Sequence, residues 1–269
     1  MYCILVIINK NMQDKNTSSY IPAAIILAGF LIAGGIYLSE RGNAPTVNPD
    51  TSKQPESVLN PISSADYVLG NPDAPITVVE FSDTECPFCK MFQNTMQSVM
   101  DIYGKDGKVA WVYRHFPLDQ LHSKSRKEAE AVECVGDLGG SDAFWKMLNT
   151  IYTNTPANDG LDPAKLPVFA KESGVDVTKF NACLSSGKNA SVVETDLRDG
   201  IKVGVHGTPY SILVLKNTLS ASAENSLNEY IIKSSLAQNV TISSDNKEVS
   251  LNGALPLEMM KSMLDIILK

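Results

Sequence analysis

Cys86-Pro87-Phe88-Cys89 stands at the junction of two segments with different periodicity, and that junction constrains the fold more than any other feature. Before it, Ile76-Thr77-Val78-Val79-Glu80-Phe81 is β-branched and aromatic and reads as a strand. After it, Lys90, Met91, Phe92, Met96, Val99, Met100 and Tyr103 suggest a helix, with Met91, Met96 and Met100 expected in its core face. The junction puts Cys86 at a helix N-terminus. Unpaired backbone N–H groups and the positive end of the helix dipole favour thiolate there. Thiolate is the reactive form. Pro87 suits the first helical turn, where its missing N–H costs nothing.

Other segments place this junction in an α/β chain. Lys108 to Phe116 alternates Val109, Trp111 and Tyr113 along one face of a second strand. Ser123 to about Gly204 turns helical, with stops at Gly139-Gly140, Asn158-Asp159-Gly160, Gly174 and Gly187 and starts at Asp162-Pro163 and Asp176. Ser211 to Leu215 returns to strand, and Glu248 to Leu251 with the Asn252-Gly253 turn reads as its hairpin partner. Pro256 to Leu268 reads as a closing amphipathic helix. At 43% hydrophobic residues the chain can build a core, and a net charge of −7 without a basic cluster excludes an electrostatic nucleic-acid surface.

The N-terminus follows different rules. Asn16 to Ser39 carries no charge, and at about 1.5 Å per residue it spans a hydrocarbon core of roughly 30 Å. The reading is a short cytoplasmic tail over 1–18, a retained transmembrane anchor over 19–39 and a flexible Pro-, Asn- and Ser-rich linker over 40–64. A cleaved signal peptide and a buried soluble helix are the alternatives. Lys10 and Lys15 weakly place the N-terminus in the cytoplasm. Met1 and Met12 are both candidate starts, and Cys3 receives no role.

A C-x-x-C pair alone fits half a zinc site, a copper-carrying pair or a redox pair. Structural zinc takes four ligands, and Cys134, Cys183 and three histidines repeat no ligand spacing; no metal ligand is assigned. Glu80, six residues before Cys86, is a candidate proton relay to Cys89, with an ordinary edge carboxylate as the alternative. A cis Thr208–Pro209 bond would leave backbone groups free for an extended substrate, with a trans turn proline as the alternative. His206 and Thr208 flank that position. His115 and His122, near the end of the second strand, read as packed or capping histidines.

Glu80-Phe81-Ser82-Asp83 through Cys86-Pro87-Phe88-Cys89, then Arg114-His115-Phe116-Pro117-Leu118, then Gly207-Thr208-Pro209, resemble the DsbA-type thiol–disulfide oxidoreductases of the thioredoxin superfamily. The resemblance covers roughly residues 65–216 and 248–269. It implies a thioredoxin-like α/β fold over 65–269 with an inserted helical subdomain at about 122–204, here preceded by one N-terminal transmembrane helix. It implies that Cys86 is the exposed nucleophile, Cys89 the resolving thiol, Pro209 a cis-proline and Glu80 a buried carboxyl. Pro87, Phe88, Thr208 and His206 are the expected substrate contacts.

Three departures stand out: a polar insertion at about 217–247, Glu85 immediately before the nucleophile, and Phe88, which cannot donate a hydrogen bond. A carboxylate at 85 is expected to raise the Cys86 pKa against the dipole. Cys134 and Cys183 are read as a structural disulfide of the helical block, with two free core thiols as the alternative.

These expectations describe a monomeric, single-pass, membrane-anchored oxidase with an extracytoplasmic catalytic domain. It would introduce disulfides into exported polypeptides without a bound cofactor. A quinone-linked membrane partner, DsbB-like or VKOR-like, would reoxidise it. A reductase or isomerase of the same fold, or a copper-binding thioredoxin-like module, is the alternative.

Overall fold

The computed structural model describes residues 59–269. The tail, the anchor and residues 40–58 of the linker lie outside the described residues. Among those described, no helix is long and apolar enough to cross a membrane.

Among the described residues, six strands form one sheet: β1 (Val68–Gly70), β2 (Ile76–Ser82), β3 (Val109–His115), β4 (Tyr210–Leu215), β5 (Val240–Ile242) and β6 (Glu248–Asn252). Their order is β1-β3-β2-β4-β6-β5. Only β2 and β3 run parallel, with Ile76 opposite Val109 and Ser82 opposite His115. Both are buried along their whole length, as strands covered on two faces must be. The side chains divide by parity. Ile76, Val78, Trp111 and Tyr113 enter the larger core, while Val79, Phe81, Val112 and Phe116 enter a smaller one with Val203, Val205 and Ile212.

Among the described residues, seven α-helices surround the sheet: α1 (Pro87–Val99), α2 (Ser125–Asn154), α3 (Leu166–Glu172), α4 (Val177–Ser186), α5 (Ala190–Lys202), α6 (Ala221–Lys233) and α7 (Leu257–Ile267). The expected stop at Gly139-Gly140 is a break within α2, where Gly140 takes φ 77 and ψ −169, a backbone region open essentially to glycine. Asp176 caps α4 by accepting from Lys179 N–H at 2.8 Å, and Gly187 ends that helix in the left-handed conformation. α5 lies close to the smaller core because Gly200 has no Cβ; a methyl there would meet the Phe116 ring at 2.5 Å. Cys134 on α2 and Cys183 on α4 are joined by a disulfide, with their Cα atoms 5.9 Å apart.

The helix face of α1 differs from the expectation at one residue. Phe92, Met96 and Val99 are buried at the i, i+4, i+7 spacing of a single stripe. Met91 falls off that stripe and is 55% exposed. Residues 217–247 fold into α6 and β5, whose core contacts come from Ala223, Leu227, Ile231 and Val240.

The last residues of the stretch read as linker are docked. Arg114 on β3, 4% exposed, bonds Asp66 at 2.9 Å, Asp199 on α5 at 2.5 Å and the Asn60 carbonyl at 3.1 Å. Asn60 N–H in turn donates to Asp199 at 2.9 Å.

Candidate active site

β2 ends at Ser82, the chain turns through Asp83-Thr84-Glu85, and Cys86 becomes the N-cap of α1 in an extended conformation with Pro87 at the first helical position. The turn is held by Asp83. Its carboxylate accepts from Glu85 N–H at 2.8 Å and Leu118 N–H at 2.7 Å, and its Oδ2 lies 3.0 Å from His122 Nδ1. Burial opposes charging His122, but the Asp83 partner outweighs it, so the pKa of His122 is raised, with a further contribution from negative charge at Cys86.

The two thiols sit in different surroundings. Cys89 is fully buried, accepts from Asp83 N–H at 3.5 Å and has its pKa driven far up by burial and by Cys86. Cys86 is lowered to about 6. Hydrogen bonding from the Cys89 thiol is the main cause, burial works against it, and the Cys89 and Phe88 backbone N–H groups at the helix start assist. The resemblance implied an exposed nucleophile. Instead Cys86 keeps only 4% of its surface, because its side chain turns inward toward Cys89 and the Thr208 carbonyl, which accepts from the thiol at 3.4 Å. Phe88 beside it is 58% exposed.

Glu85 does not act as the sequence suggested. It is fully buried and faces away from the thiol, toward a loop some 75 residues downstream. Its carboxylate accepts from Gly160 N–H and Leu161 N–H, each at 3.1 Å, and its carbonyl accepts from Asn158 N–H at 2.8 Å. Amide dipoles thus compensate the charge before it reaches Cys86, and the thiol pKa falls rather than rises.

Glu80 lies on the larger-core face of β2, fully buried, and accepts from Trp111 Nε1 at 3.0 Å. Burial raises it to about 7, with Ser82 and Trp111 working against the rise. Ser82, which interacts with both this carboxyl and Cys89, belongs to a buried hydroxyl cluster: its Oγ is 3.0 Å from Tyr152 Oη, which is 2.8 Å from Tyr113 Oη. Burial drives the pKa of both phenols well above its ordinary value.

The Thr208–Pro209 bond is cis. The Pro209 carbonyl accepts from Gly253 N–H at 2.9 Å. His206 is exposed in the loop entering β4. His115 is buried with Nε2 3.1 Å from Glu133. The site as a whole pairs an acidic thiol at a helix start with a buried partner, the requirement for attack on, and release from, a disulfide. Among the described residues no group of three or more histidine, cysteine or acidic side chains is placed to hold a metal.

Residues 63–232, more than half of the chain, match the family model described as thioredoxin. The chain belongs to the thioredoxin family. Solved structures with a similar fold include proteins named DsbA and BdbD. They include DsbA2 of Pseudomonas aeruginosa (22% identity, 76% of this chain and 96% of that one, TM-score 0.56). α-DsbA1 of Wolbachia pipientis matches with 20% identity over 79% and 96% of the two chains, TM-score 0.59. Oxidised BdbD of Bacillus subtilis matches with 28% identity over 57% and 85%, TM-score 0.51. Among curated proteins, the Na(+)/H(+) antiporter NhaA 1 of Mycolicibacterium gilvum is 32% identical over 155 residues, 56% of this chain and 24% of that protein. NhaA 3 of Salinispora tropica is 32% identical over 144 residues, 54% and 21%. The matched part is thus about a quarter or less of these antiporters' length.

The sequence reading missed the Asp83–His122 pair, the Ser82–Tyr152–Tyr113 hydroxyls, Glu128 and the loop that Glu85 grips. Each joins segments at least 39 residues apart, and no local pattern encodes such a pairing.

Proposed function

We propose that this thioredoxin-family domain is a thiol–disulfide oxidoreductase that works in the oxidising direction on exported polypeptides outside the cytoplasm. The division between the two thiols supports this reading best: Cys86 is lowered to about 6 while Cys89 is driven up. A stabilised Cys86 thiolate favours the reduced pair, and so makes the disulfide the better oxidant.

A substrate thiolate attacks Cys86 Sγ in the oxidised pair. The Cys86–Cys89 bond breaks, its electron pair leaves on Cys89, and a mixed disulfide forms on Cys86. Cys89, with its high pKa, takes a proton. Glu80, poised near neutrality behind the Ser82 and tyrosine hydroxyls, is the donor in this reading. A second substrate thiolate attacks the substrate sulfur, and Cys86 departs as a thiolate, a good leaving group. The substrate loses two electrons and the dithiol gains them. Phe88, Pro87, Thr208, Pro209 and His206 are the proposed substrate contacts, and of these the Thr208 carbonyl accepts from the Cys86 thiol at 3.4 Å.

The uncharged run from Asn16 to Ser39 supports a membrane anchor, and a quinone-linked membrane protein is the proposed reoxidant. The test is capture of intermediates by the full chain. With Cys89→Ser, mixed disulfides with reduced polypeptides should accumulate on non-reducing gels; with Cys86→Ser, none should. Equal capture by both variants would reject the assigned roles.

A further inference from the structure

Two carboxyl groups lie beneath the nucleophile without any part in the exchange steps. Glu85 is fully buried, and Glu128, in the first turn of α2, is 1% exposed. Neither pairs with a lysine, arginine or histidine among the described residues. Glu85 has both oxygens committed to the Gly160 and Leu161 N–H groups. Glu128 Oε2 accepts from Thr84 Oγ1 at 2.7 Å, while its Oε1 is buried with no donor. Thr84 directly precedes Glu85 in the turn, so its hydrogen bond brings Glu128 beside the Glu85 segment, and the two carboxyls interact electrostatically.

Two adjacent buried carboxylates with no cation cannot both be ionised, so one keeps a proton. Glu85 is already an acceptor on both oxygens. The proton therefore rests on Glu128, whose free oxygen supplies the place for it.

The loop gripped by Glu85 needs an external hold. Ala157, Asn158 and Asp159 have φ of 67, 54 and 62, three successive left-handed residues that each carry a Cβ, an unfavourable conformation. Asp159 is tied at the far side by Ser123 N–H at 2.9 Å and Lys124 N–H at 3.0 Å. Glu85 ties the near side, directly before Cys86.

We propose that Glu128 is a positioning residue for the thiol chemistry: as a neutral acid it donates to Glu85, and through Glu85 it keeps this loop latched to the turn that carries Cys86. Asp83, Thr84, Glu85 and Cys86 lie around the pair on the turn after β2. Lys90 lies on α1, with Nζ on the Thr155 carbonyl at 2.5 Å. His122 and Lys124 precede α2, and Asp159 sits in the loop itself. Burial raises Glu128 to about 8; the Thr84 hydroxyl opposes this, and Glu85 and Asp83 reinforce it. Ionisation of Glu128 removes the donor and sets a second negative charge against Glu85, which loosens the latch.

The test uses the full chain with labelled glycine and leucine. In the wild type, the Gly160 and Leu161 amide resonances should move between about pH 7 and about pH 9, around the Glu128 titration. Glu128→Gln keeps a neutral donor in place, and its resonances should stay put. The ratio of its thiol-oxidation rate to that of the wild type should rise several-fold over the same range. Glu128→Ala lacks the donor and should lose protection of both amides at every pH; where that variant does not fold, the glutamine comparison still decides. Amides that titrate alike in wild type and Glu128→Gln, or that stay fixed in both, overturn the proposal. The rate readout rests on the proposed redox function, whereas the amide readout needs no redox chemistry. Failure of one is therefore distinguishable from failure of the other.

Discussion

Replacing Cys89 by alanine should make Cys86 a weaker acid, because the Cys89 thiol is the main group holding Cys86 at about 6. A hydrogen bond to a charged acceptor contributes about 1.5–3 kcal/mol, and one pKa unit corresponds to about 1.4 kcal/mol. Loss of this donor should therefore raise Cys86 by about 1–2 units, to roughly 7–8. At about pH 7 the ionised fraction would fall from about nine tenths to between a half and a tenth. Cys89→Ser keeps a hydroxyl donor and should stay nearer the wild type. The assay is the pH dependence of Cys86 alkylation, read by mass spectrometry, for both variants and for the reduced wild type. A companion variant, Glu85→Gln, should move Cys86 by less than about half a unit, since the Glu85 charge is taken up by loop amides. An alanine variant with an unshifted Cys86 would refute the reasoning and leave the depression to the helix terminus alone.

Glu80 makes a separate prediction about pH. Its folded pKa of about 7 exceeds the ordinary value of 4.5, so the folded state binds the extra proton between these values. Stability from this group is present at low pH and is lost as pH rises through about 7, by up to about 3 kcal/mol. Glu80→Gln should remove that share of the slope in denaturant titrations taken from about pH 5 to about pH 8; an unchanged slope would show that Glu80 titrates normally. The Cys134–Cys183 disulfide closes a span of 49 residues. In the chain-entropy picture its loss should destabilise the fold by roughly 4 kcal/mol, testable by chemical denaturation of the Cys134→Ala, Cys183→Ala double variant with Cys86 and Cys89 intact.

Much of this arrangement was readable because its signals are local. The apolar run over Ile76 to Phe81, the cysteine at the helix start and Pro87 behind it all lie within a few residues. So do the caps at Asp176 and Gly187. β1 escaped notice because three residues carry no period. α6 was hidden because only Ala223, Leu227 and Ile231 face the core among polar neighbours. Met91 was misplaced because five residues separate it from Met96, one more than the stripe allows. The larger failure concerned Glu85. Adjacency in sequence to Cys86 suggested electrostatic opposition, yet the extended backbone at Cys86 sends successive side chains in different directions. The partners of Glu85 were then set by a loop that no local pattern could have named.

The reduction potential of the Cys86–Cys89 pair, equilibrated against glutathione in the full chain, tests the central claim most directly. Thioredoxin combines a nucleophile pKa of about 7 with about −270 mV, and DsbA combines about 3.5 with about −120 mV. At about 30 mV per pKa unit, Cys86 at about 6 places this pair about 30 mV above the first and about 75 mV below the second. The account therefore predicts a potential between roughly −240 and −195 mV. A value at or below about −270 mV would contradict both the stabilised Cys86 thiolate and the oxidising direction built on it.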